Sequence, residues 1–82
     1  MSGEEINETV STMLVEQFKV DPAKIEPDAT FKKLGLDSLD LVSLAMALED
    51  RMGIELPDRE LVGIENYGQA VELIERKVKA GV

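Results

Sequence analysis

The chain has 82 residues, with 9 Lys+Arg against 17 Asp+Glu, a formal charge of −8, and neither His nor Cys. One small acidic domain spanning residues 1–82 is the expectation from that length, and the negative charge argues against nucleic acid as a partner. Without Cys there can be no disulfide, thiolate metal site or cysteine nucleophile, and without His the usual general base and the commonest zinc ligand are gone. An enzyme built on paired carboxylates is the weakest option, because a chain this short has little length from which to build a cleft.

Met1 to Glu5 is acidic and lacks the basic-then-apolar order of a secretory signal. No apolar run approaches the roughly 18 residues that span a bilayer. A cytoplasmic monomer with no membrane insertion is therefore expected, and the Asn7-Glu8-Thr9 match to a glycosylation sequon carries no weight.

In chain order, Ile6, Val10, Met13, Leu14 and Phe18 recur at helical spacing and predict a first helix over residues 4–18, with Ser2 and Glu5 positioned for a capping box. From Lys19 to Asp37 the periodicity fails and Pro22, Pro27 and Gly35 punctuate the chain. This segment reads as a long connection, anchored to the core by Val20, Ile25, Phe31, Leu34 and Leu36. A second helix is predicted over residues 38–52, stopped by Gly53. A short helical turn after Pro57-Asp58 carries Leu61 and Val62. Asn66 is a suitable cap for a last helix striped by Tyr67, Ala70, Val71, Ile74 and Val78, with Lys77 and Lys79 at the end that favours cations. No segment alternates with period two, so the expected fold is all-α: a small four-helix bundle of three main helices and one short one, with a long loop between the first two.

On a wheel of about 100° per residue, Leu41, Leu44, Ala45, Leu48 and Met52 share the arc of the second helix that a bundle buries. Leu39, Val42 and Met46 fall on the opposite side, with Glu49 and Asp50 in the same arc and Asp40 toward its flank. Scattered exposed apolar residues are ordinary. An apolar strip rimmed by carboxylates is also what a docking surface for basic partners requires. The charge supports the second interpretation, since residues 37–60 hold seven carboxylates against two arginines.

At the loop-to-helix junction, Leu34-Gly35-Leu36-Asp37-Ser38-Leu39-Asp40 puts a hydroxyl in the first turn of a helix, where unpaired N–H groups favour a phosphate. Either Asp37 or Ser38 could cap that helix, and only in the first case does the Ser38 hydroxyl project freely. An acidic interaction module with no prosthetic group fits composition and periodicity equally well.

Thr30-Phe31-Lys32-Lys33-Leu34-Gly35-Leu36-Asp37-Ser38-Leu39-Asp40, followed by Leu44 to Asp50 and by Ile54-Glu55-Leu56-Pro57, resembles the acyl carrier protein family, particularly its freestanding members. The likeness extends more loosely to the first and last helices. It implies that Ser38, flanked by Asp37 and Leu39, bears 4′-phosphopantetheine taken from coenzyme A by a phosphopantetheinyl transferase. The arm's thiol would hold acyl groups as thioesters, so the protein would be a carrier and not an enzyme. Leu39, Val42 and Met46 match partner-contacting positions of the family, and Asp40, Glu49 and Asp50 would complete the surface offered to an acyltransferase, a ketosynthase or an acyl-activating enzyme with a basic patch. Leu44, Leu48, Leu61, Ile64, Ala70 and Leu73 match positions that line an acyl-chain pocket. Ser43 and Arg51 stand where many fatty-acid carriers are acidic, which leaves the fatty acid and polyketide branches both open. Gly35-Leu36-Asp37-Ser38 departs from the Gly-Gly-His-Ser style of aminoacyl and peptidyl carriers.

No metal is called for. The acidic loop from Asp21 has Ala23, Ile25 and Lys32 where an EF-hand needs oxygen ligands.

Overall fold

The computed structural model describes residues 3–80. It contains α1 (Gly3–Phe18), a single 3-10 turn (Pro22–Lys24), α2 (Ser38–Met52), the one-turn α3 (Asp58–Leu61) and α4 (Tyr67–Ala80). Among the described residues there is no strand, only an isolated antiparallel bridge between Thr30 and Asn66. The small helical bundle read from the sequence is the fold observed. The Ser2–Glu5 capping box involves a residue outside those described.

The centre of the core comes from α1, where Ile6, Val10, Met13 and Leu14 are buried and Ile6 and Leu14 have no exposed surface. Helix α1 packs against both α2 and α4. From α2, Leu44, Ala45 and Leu48 are buried, while Leu41 and Met52 from the same arc are only half-buried against the cluster. From α4, Tyr67, Ala70, Leu73 and Ile74 close the other side. Burying such side chains contributes about 1.5 to 3 kcal/mol each, most of which chain entropy offsets.

Helix α1 stops at Lys19, a non-glycine residue with φ 59°. The amide of Val20 reaches back past Lys19 to the carbonyl of Leu14 at 3.1 Å and closes the end of the helix. Helix α2 ends at Gly53, whose φ of 67° suits a residue without a side chain.

The long connection is more ordered than its punctuation implies. Asp21 accepts from the amide of Ala23 and caps the 3-10 turn. The connection then lies across the start of α4: Tyr67 N–H donates to Ala29 C=O at 2.9 Å, Gly68 N–H to Pro27 C=O at 2.8 Å, and Phe31 N–H to Glu65 C=O at 3.4 Å. First-turn amides of a helix lack partners within the helix, and here carbonyls of the connection supply them. Asn66 completes the cap through its side chain, accepting from Gln69 N–H at 2.9 Å, while Gln69 Oε1 accepts from the amides of Glu65 and Asn66. Val20, Ala29, Phe31, Leu34 and Leu36 are buried beneath this strap and Ile25 is half-buried. Gly35, at φ 79°, then turns the chain so that Asp37 arrives at the start of α2.

Helix α3 is one turn long, has no side-chain cap and has no fully buried residue. Its last residue, Leu61, turns inward, while the adjoining Val62 is 84% exposed. Among the described residues, no helix is long and apolar enough to cross a membrane.

Candidate attachment site and the surface around it

The start of α2 resolves the choice between Asp37 and Ser38 as the cap. Asp37 is extended (φ −101°, ψ −176°), and its Oδ1 accepts from the amide of Asp40 at 2.9 Å. In return Asp40 Oδ2 accepts from the amide of Asp37 at 3.1 Å, a reciprocal capping box closed by two aspartates. The carbonyl of Asp37 accepts the first helical bond, from Leu41 N–H at 3.0 Å. Ser38 is thus the first helical residue, exposed and free of capping duty. A phosphoryl group esterified there would lie beside the positive end of a 15-residue helix. The residues present therefore fit a serine-linked phosphodiester.

Along α2, Leu39, Val42 and Met46 are 78%, 41% and 63% exposed, an apolar strip leading away from Ser38. The sequence reading did not single out Val62 of the α3 end as a further exposed apolar residue. Its neighbour Leu61 is equally apolar, and a single turn gives no periodicity to say which of the two points inward.

The three carboxylates assigned to the rim occupy different situations. Asp50 is exposed. Asp40 is half-buried and committed to the capping box. Glu49 is half-buried and braces the segment after α2, its Oε2 accepting from the amide of Leu56 at 3.1 Å. That amide belongs to a residue seven positions away, past the Gly53 stop of α2, where helical spacing no longer says which residues meet.

Between α2, α3 and α4 lies an apolar cavity of about 30 Å³. Leu44, Leu48, Leu61, Ile64, Ala70 and Leu73 all line it, together with Phe31, Leu41, Ala45, Leu56 and Ile74, which the sequence reading had not placed there. Leu41 and Ala45 share the inward arc of α2 with Leu44 and Leu48, so helical spacing was the available signal for these two.

A second, open groove of about 560 Å³ lies between α1 and the long connection, with Tyr67 among its lining residues. The Tyr67 hydroxyl faces both the backbone carbonyl oxygen of Asn7, at 2.9 Å, and the side-chain oxygen of the same residue. Burial pushes the phenol above its ordinary pKa, and a hydrogen bond with the Ser11 side chain partly offsets this.

Against known proteins, the family model described as the phosphopantetheine attachment site matches residues 8–74. Proteins named acyl carrier protein from two strains of Helicobacter pylori are 46% identical over 69 residues, covering 83% of this chain and 88% of theirs. A crystal structure of an acyl carrier protein from Thermotoga maritima superimposes with a TM-score of 0.88 at 23% identity, covering 100% of this chain and 96% of that one, and so shares the fold. The chain belongs to the phosphopantetheine-binding acyl carrier protein family. It is a carrier of acyl groups and not an enzyme, and its prosthetic group is 4′-phosphopantetheine.

Proposed function

We propose that Ser38 is the attachment serine and that the arm it bears presents acyl intermediates to enzymes of fatty acid or polyketide synthesis in the cytoplasm. One observation carries the assignment: Asp37 and Asp40 cap α2 between themselves, which leaves the Ser38 hydroxyl exposed at the first helical position. The arm supplies, when attached, a terminal thiol that holds an acyl group as a thioester. The protein's own residues position the phosphodiester at the positive end of α2 and surround it with an acidic, apolar face.

That face is Leu39, Val42 and Met46, with Asp50 as its exposed charge. Desolvation of the apolar strip supplies affinity for a partner, and the carboxylates steer basic surfaces of a phosphopantetheinyl transferase, acyltransferase, ketosynthase or acyl-activating enzyme toward it.

The cavity supports temporary burial of the acyl chain. Six methylenes at about 0.8 kcal/mol each gain at most about 5 kcal/mol, comparable with the stability of a small domain. A cavity of about 30 Å³ holds only one or two water-sized groups, so the chain enters only if the walls part. An octanoyl form therefore melts at a higher temperature than an acetyl form.

Attachment is tested by incubating the protein with coenzyme A and a phosphopantetheinyl transferase. Intact mass rises by one arm for the wild type and stays fixed for Ser38→Ala. An arm on the Ala variant would refute the assignment.

A further inference from the structure

We propose that the ion pair between Glu60 and Lys77 is a clasp that holds α3 shut over the apolar cavity and so determines which acyl chains are taken into the core. The proposal rests on the cavity being where the chain is held. Because the cavity is far too small for a medium-length chain as it stands, one of its walls must move.

The structure distinguishes the walls. Helix α2 is fixed at its N-terminus by the capping box and along its length by the burial of Leu44, Ala45 and Leu48. Helix α4 is packed on α1 and held at its first turn by the carbonyls of Pro27 and Ala29. Helix α3 has four residues, no side-chain cap and no fully buried side chain. Its amides bond within the same segment: Glu60 N–H to Pro57, Val62 N–H to Asp58 and Ile64 N–H to Leu61. So few anchors make α3 the wall that opens at least cost.

Glu60 supplies the tie to α4. Lys77 Nζ donates to its Oε1 at 2.8 Å and lies 2.7 Å from Oε2, which is shielded from water. The two side chains are 27% and 30% exposed, so solvent screens them less than it would an open surface pair. The pair closes a seam where the wall is thin: Ile64 and Leu73 line the cavity on one side and the groove between α3 and α4 on the other. Moving α3 away from α4 to admit a chain separates the carboxylate from the ammonium, so the pair adds to the cost of opening and a short chain does not repay it.

The experiment uses Glu60→Gln, Lys77→Met and the double variant, with Arg76→Gln, on the same groove but outside the pair, as control. Each is loaded with acetyl or octanoyl arms, with occupancy read by intact mass. In the unloaded proteins, exchange of the Val62 and Ile64 amides should accelerate about two- to fivefold in both single variants, no further in the double variant, and not at all in Arg76→Gln. The melting gap between octanoyl and acetyl forms should widen in the same three variants, because the clasp stabilises only the closed form. A wild-type gap that the variants leave unchanged would overturn the clasp while leaving the cavity's role intact. A gap absent from the wild type but present in the variants supports a clasp strong enough to exclude the chain. No gap in any protein would overturn both ideas together.

Discussion

The amide of Gly68 donates to the carbonyl oxygen of Pro27 at 2.8 Å, and a Cβ on Gly68 would stand 2.7 Å from that same oxygen. The first turn of α4 and the long connection therefore meet at backbone distance, and only glycine permits it. Gly68→Ala forces the strap away from α4 and should destabilise the fold by about 1 to 3 kcal/mol, the usual cost of an overpacked contact. Urea denaturation measures this as a lower midpoint at constant slope, and an unchanged midpoint would show that the strap yields freely.

Asp37 and Ser38 stand side by side with opposite duties, and stability separates them. Asp37→Ala removes the acceptor for the Asp40 amide and should cost about 1 kcal/mol, whereas Ser38→Ala should leave the melting temperature where it was. A Ser38→Ala protein as unstable as Asp37→Ala would mean that the serine hydroxyl holds the helix start, leaving it no freedom to bear an arm.

Glu49 and Asp50 are consecutive carboxylates that should respond differently to mutation. Glu49→Ala strands the half-buried amide of Leu56 and should lower stability by about 1 to 2 kcal/mol. Asp50→Lys should leave stability nearly unchanged while slowing association with a basic partner enzyme and weakening the salt dependence of that rate. Association kinetics at two ionic strengths would decide it, and equal rates for wild type and Asp50→Lys would remove Asp50 from the docking face.

Tyr67 is the chain's single tyrosine, so its phenolate absorbance titrates one group. With the folded pKa raised by burial, the unfolded chain loses the phenol proton first, at about pH 10, while the folded protein keeps it. The contribution of Tyr67 to stability is therefore complete below that pH and is lost as pH rises through the folded value. Tyr67→Phe, which gives up the hydroxyl's bond to Asn7, should cost about 1 kcal/mol at neutral pH, and its disadvantage should shrink in alkali. A difference that stays constant through the alkaline titration would contradict the sign.

Local rules carry the sequence a long way. Apolar spacing of three and four residues defined α1, α2 and α4. Asn66 and Gly53 marked a start and a stop, and the Asp37-Ser38-Leu39 junction stood out as the place for chemistry. These signals are legible because each concerns residues within one or two turns of one another, where backbone geometry alone fixes who meets whom. Tertiary structure decided the rest. It turned Glu49 toward Leu56 and Leu61 toward the core, tied Lys77 to Glu60, and laid the connection's carbonyls over the first turn of α4. Most of these contacts join residues separated by a loop or by half the chain. Their partners are selected by how the helices pack, and no periodicity along the sequence encodes that.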